Sequence, residues 1–105
     1  MYIAMNRFRV HEGHEDVFEE VWRTRDRFLD EVEGFKHFKL LRGATEDGET
    51  EFISHSTWAS RDAFVAWTRS EAFAKAHRDA RTPKGTLVKH PDFSGYEVLM
   101  TEPGT

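Results

Sequence analysis

The 105-residue chain contains no cysteine. Disulfide frameworks, thiolate metal sites and cysteine nucleophiles are therefore excluded, and any metal would need imidazole or oxygen ligands. No apolar run reaches the length of a membrane span or secretory signal, because Met1-Tyr2-Ile3-Ala4-Met5-Asn6-Arg7 leads straight into an alternating pattern. A cytoplasmic protein with no membrane partner is the expectation. Positive charge is not in excess: 15 Lys+Arg against 19 Asp+Glu give −4. No basic stripe with interleaved aromatics occurs either, which argues against nucleic acid as a partner. Nucleophile elbow, phosphate loop, zinc-protease helix and dinucleotide fingerprint are all missing, so hydrolase, kinase and nicotinamide chemistry have no anchor. The run His11, Glu12, His14, Glu15, Asp16 superficially suggests a metal cluster, but an exposed strand-to-helix turn accounts for it.

Ring surface, by contrast, is abundant. Aromatics reach 13%, dominated by nine Phe and three Trp, enough for a filled core plus an aromatic-lined cavity or interface. The length predicts one domain over residues 1–105, too small to enclose a large flat ligand generously within one subunit.

Residues 2–10 alternate, with Tyr2, Ala4, Asn6, Phe8 and Val10 on one face, which predicts a half-buried strand with Asn6 pointing inward. Residues 14–33 place Val17, Phe18, Val21, Trp22, Phe28, Leu29 and Val32 on one helical arc closed by Gly34. Strands are expected over 35–42 and 51–58, paired antiparallel through Glu46-Asp47-Gly48. Ser60 and Ser70 read as successive N-caps of a helix broken in two, ended by Pro83 and Gly85, and Tyr96, Val98 and Met100 alternate in a final strand. The order strand, helix, strand, strand, helix, strand is the α+β, ferredoxin-like βαββαβ plan. It layers helices on one face of an antiparallel sheet and leaves the other face wanting a partner, for which a sheet-to-sheet homodimer is expected.

Four residues stand out. His77 sits in a helix-reading segment with Ala74 and Ala80 three residues away on either side, leaving a low-relief surface around one nitrogen donor. The remaining histidines, His11, His14, His37, His55 and His90, lack that setting; the plain alternative for His77 is a solvated helix histidine. Asn6 is an inward-facing amide that needs a partner, either a ligand or a neighbouring backbone group. Trp67, at helical spacing from Ala63 and Phe64, is by default a core aromatic. Arg25 falls in the middle of the apolar arc of the first helix, where a cation wants an anion or else snorkels over apolar surface or joins an interface salt bridge.

The run Trp58-x-Ser60-x-x-Ala63-Phe64-x-x-Trp67-x-x-Ser70-x-x-Phe73-x-x-Ala76-His77-x-x-x-Arg81 resembles the IsdG-type haem-degrading monooxygenases of the antibiotic biosynthesis monooxygenase superfamily. Asn6-Arg7 and Glu33-Gly34-Phe35 extend the resemblance over nearly the whole chain. It implies a dimeric α+β barrel that binds haem as cofactor and substrate, opens the porphyrin ring with O2 and electrons from an external reductant or reductase, and releases iron for iron acquisition. His77 matches the axial iron ligand, Asn6 the distal amide, and Trp67 the indole that presses the macrocycle out of plane. By the same resemblance Trp22, Phe64, Phe73 and Ala74 would line the haem, and Arg25 and Arg81 would be candidates for its propionates, with a solvated helix face as the plain reading of Arg81. Residues 82–92 depart from the family, looking shorter than the loop that borders the cofactor mouth in some members. Two other functions suit the same residues: a cofactor-independent monooxygenase acting on a quinol or aromatic substrate, and a haem-binding carrier without turnover.

Overall fold

Seven elements make up the computed structural model, which describes residues 1–25, 29, 32–79 and 82–104, with residues 77–79 by backbone alone. Strand β1 (Tyr2–His11) leads to helix α1 (Glu15–Thr24), the hairpin β2 (Phe35–Glu46) and β3 (Glu49–Trp58), helices α2 (Arg61–Thr68) and α3 (Glu71–Asp79), and β4 (Asp92–Glu97). All strand pairs are antiparallel, in the spatial order β2-β3-β1-β4. This is the ferredoxin-like α+β plan that the alternation predicts.

The hairpin is longer than expected because its turn is short. Asp47 (φ 53°) and Gly48 (φ 76°) both adopt left-handed backbone, as in the two-residue turn whose twist matches the flanking strands. Ladder pairing therefore runs to Glu46 and Glu49, past an irregularity between Arg42 and Thr45.

Helix α1 is a correction. The expected arc over residues 14–33 ends at Thr24, and Arg25 already has extended backbone (φ −76°, ψ 142°). Arg23, Thr24 and Arg25 follow Trp22 in the sequence, so the apolar stripe of α1 has lapsed where the helix ends. Thr24 adds to the break by donating its hydroxyl to the Glu20 carbonyl at 2.8 Å. Phe28 lies outside the described residues. Val17 is exposed, whereas Leu29 is buried against Tyr2, Ala4 and Trp58.

The break between α2 and α3 follows the serine caps. Ser60 Oγ accepts from the Ala63 N–H at 3.1 Å. Ser70 Oγ accepts from the Phe73 N–H at 3.1 Å and donates to the Trp67 carbonyl at 2.6 Å, so one side chain closes α2 and opens α3.

The final strand also differs from expectation, covering Asp92–Glu97. Val98 still donates its N–H to the Met1 carbonyl at 2.8 Å, but Met100 is exposed beyond the sheet. Within the connection before it, Val10 bridges to Leu87, and Thr86 is buried. That short segment continues the β1 edge where β4 stops.

Two apolar clusters fill the space under the helices. One joins Tyr2, Ala4, Leu29 and Trp58 beneath α2, and the other joins Val10, Phe18 and Phe52 beneath α1. Among the described residues no helix covers the opposite sheet face; Ile3, Met5, Leu41, Ile53 and Tyr96 share it by register. Among the described residues no helix is long and apolar enough to cross a membrane.

Candidate active site

A cavity of about 370 Å³ opens between the two core clusters, within the ordinary range for small-molecule sites. The inward faces of the strands make its floor, because alternation brings Ala4 and Asn6 of β1 to the same side as Ser54, Ser56 and Trp58 of β3. Helices supply the walls: Trp22 from α1, Phe64, Trp67 and Thr68 from α2, and Phe73 from α3.

The walls are flat rings held against one another. Trp67 lies 5.3 Å from Trp58 and meets Phe73 edge-on at 4.7 Å and 89°. Phe64 stacks on Phe93 at 5.6 Å with 10° between planes. Trp22 stacks on Phe38 at 5.4 Å, and the Arg25 guanidinium rests 4.4 Å from the Trp22 centroid, a cation–π contact that aims positive charge at the cavity wall. Because Arg25 caps α1 in extended form, its side chain reaches the cavity from the helix end and not from mid-helix.

Polar groups are few, and three of them, Asn6, Ser54 and Ser56, sit on the floor. Asn6 lies directly opposite Ser54 in the β1–β3 register. Neither the Asn6 carboxamide nor the Ser54 hydroxyl makes a hydrogen bond to any described residue, although Ser54 is only 5% exposed. The backbone partner that would have made Asn6 a purely structural amide is thus absent among the described residues. Ser56 differs: it accepts from Trp58 Nε1 at 2.9 Å and reaches the Ala4 carbonyl at 3.5 Å.

Of the residues singled out in the sequence, Asn6, Trp22, Arg25, Phe64, Trp67 and Phe73 line this one cavity. Ala74 is exposed and is not part of the lining. His77 belongs to α3 by its backbone, while its ring and the whole of Arg81 lie outside the described residues. The chain-reading missed Ser54, Phe38 and Phe93. Alternation would have found Ser54, since it shares the inward face with Phe52 and Trp58, where a hydroxyl is out of place.

Glu15, from the polar run before α1, has a structural task. It accepts from the Gly13 N–H at 2.8 Å and from the Thr50 hydroxyl at 2.8 Å. The Thr50 hydrogen bond, foremost, holds its carboxyl below the ordinary value of 4.5.

Comparison with known proteins agrees with this architecture. The family model described as antibiotic biosynthesis monooxygenase matches residues 1–79. The chain belongs to that family. As a member it is an enzyme of the monooxygenase type. A protein named heme-degrading monooxygenase from Shouchella clausii is 32% identical over 94% of this chain and 92% of its own length. A staphylobilin-producing heme oxygenase from Staphylococcus haemolyticus is 29% identical over 96% and 98%. Among solved structures, the heme degrader MhuD from Mycobacterium tuberculosis, with two hemes bound in its active site, superposes with a TM-score of 0.77 at 25% identity, covering 98% of this chain and 100% of that one.

Proposed function

We propose that this monooxygenase degrades haem, using it as cofactor and substrate together with O2 and electrons from an external reductant, and frees iron for acquisition. The observation that carries the reading is that Asn6, Trp67 and Arg25, three residues marked by the family resemblance, converge on one aromatic cavity.

The cavity suits the ligand's chemistry. A porphyrin offers a flat apolar face and two carboxylates; Trp22, Phe64, Trp67 and Phe73 offer flat apolar walls, and Arg25 offers a guanidinium. Bound haem iron supplies the capacity to activate dioxygen, with electrons delivered by the external donor. The rings of Trp22, Phe64, Trp67 and Phe73 would exclude water and hold the flat ligand between them. Asn6, a half-buried amide without a side-chain partner among the described residues, would pair with an oxygen atom of a ligand held above the floor. His77 would hold the iron through an imidazole nitrogen, from the helix whose first turn Phe73 anchors in the wall. Arg81 is a second candidate for propionate contact.

The sheet face opposite the described helices, bearing Ile3, Met5, Leu41, Ile53 and Tyr96, is assigned to a homodimer interface, the usual way to bury such a surface in a small α+β domain. Residues 1–105 then form one domain of a two-subunit barrel.

Haemin titration followed by ascorbate in air tests the reading. The expected result is a Soret shift that His77→Ala abolishes, then loss of the band on reduction. Absence of any Soret shift with the wild-type chain would favour a cofactor-independent monooxygenase, and a shifted band that survives ascorbate would make the protein a carrier.

A further inference from the structure

We infer that Ser54 is a second polar contact of the site, forming with Asn6 a two-point seat for one small oxygen- or nitrogen-bearing ligand on the cavity floor. The inference rests on the haem reading for its chemistry, but its geometry stands on the strands alone.

Ser54 and Asn6 are directly opposed in the β1–β3 ladder and both line the cavity. Side chains opposed in an antiparallel pair have β-carbons about 5 Å apart, so one small ligand above the floor reaches both. Only 5% of Ser54 is exposed, it lines the cavity, and no described residue takes its hydroxyl hydrogen or donates to its oxygen. A hydroxyl so placed is left to pair with whatever enters the cavity.

The neighbouring serine supplies the contrast. Ser56, two residues on and also on the floor, is committed to the Trp58 indole N–H at 2.9 Å. Two hydroxyls of the same strand face are thus divided between holding a core ring and facing the ligand space. The surroundings are apolar, with Ala4, Trp58, Phe64 and Phe93 among the lining, so the pair also fixes where a polar atom of the ligand must sit. An amide and a hydroxyl differ in what they offer. The amide presents fixed NH2 donors and a fixed oxygen acceptor, whereas the hydroxyl rotates to donate or accept as needed.

Two measurements test the seat. In crystals of the ligand-free protein, a water should lie within hydrogen-bond distance of both Asn6 and Ser54. An empty floor, or a water contacting neither, would overturn the proposal whatever haemin does. In haemin-loaded protein, inorganic azide should bind about fivefold more weakly to Ser54→Ala than to wild type, the worth of one net hydrogen bond, with affinity regained in Ser54→Thr. Equal azide affinity in wild type and Ser54→Ala, with Soret shifts intact in both, sinks the role of Ser54 and leaves the haem reading standing. Absence of a Soret shift in wild type instead sinks the haem reading, and the crystal water then decides the seat alone. Thr45→Ala separates a merely structural effect, because it should lower Tm by removing the Thr45–Thr50 hydroxyl contact in the hairpin, outside the cavity lining, while leaving azide affinity near that of wild type.

Discussion

Trp67, in the last turn of α2, stands edge-on to Phe73, in the first turn of α3, with ring centroids 4.7 Å apart and planes at 89°. Between them Ser70 bonds to both residues' backbones, donating to the Trp67 carbonyl and accepting from the Phe73 N–H. The direction in which α3 leaves the site, and hence the place of its His77, is set by one ring contact and one hydroxyl.

Removing that hydroxyl should loosen α3 more than it harms the fold. Ser70→Ala is expected to cost about 1 kcal/mol, the usual worth of an N-cap, while Ser70→Asp, which can also cap, should recover most of it. Haemin affinity should follow the same order as Tm. Weakened binding with unchanged Tm would show that Ser70 acts by some route other than the cap.

Trp67 has two tasks that substitution can separate. Trp67→Ala removes a ring packed on Trp58 and Phe73 and should cost about 3 kcal/mol by truncation of a core aromatic. Trp67→Phe keeps most of the packing, so stability should nearly hold while haem turns over more slowly and is less distorted, as read by resonance Raman. Wild-type turnover in Trp67→Phe would remove the indole from the chemistry.

Much of this arrangement was legible in the chain. Period-two alternation turned Asn6 inward, and the serine caps foretold the break between α2 and α3, because both signals are local. The extent of α1 was not legible, since Leu29 and Val32 continue the helical spacing on paper although the polar residues directly after Trp22 interrupt the stripe where α1 ends. Its early end moves Arg25 from a helix face to a cap, where it meets Trp22. Phe93 escaped notice for a different reason: its place opposite Asn6 depends on which strand β1 takes as its second neighbour, a long-range pairing that spacing does not encode.

Gly34 shows how closely the strand and helix layers meet. Its backbone is left-handed (φ 84°) and an added β-carbon would lie 2.5 Å from the Ala63 β-carbon. Its carbonyl also accepts from the Ala59 N–H at 2.7 Å. Gly34→Ala should therefore cost at least about 2 kcal/mol from strain and overlap together. Gly13, equally left-handed at φ 96° but with nothing within 4 Å of a β-carbon, should lose only the strain, about 1 kcal/mol on substitution by alanine. Equal costs at the two sites, by denaturant titration, would deny that the approach to Ala63 matters.

Glu15 makes the stability of the α1 end depend on pH. The Thr50 hydroxyl, itself 2.7 Å from the Thr45 hydroxyl, and the Gly13 N–H stabilise the Glu15 anion, and its carboxyl lies below the ordinary 4.5 in the folded chain. A depressed folded value means the unfolded chain takes up the proton first. The contribution is therefore complete above the ordinary value and is lost as pH falls through the lowered one. Glu15→Gln keeps an acceptor for Thr50 but cannot titrate at that position. Wild type should exceed Glu15→Gln in Tm above the ordinary carboxylate value of 4.5, and the gap should close as pH falls below it. A gap that stays constant across that window would mean that the shape of the Glu15 side chain, and not its charge, ties α1 to the hairpin.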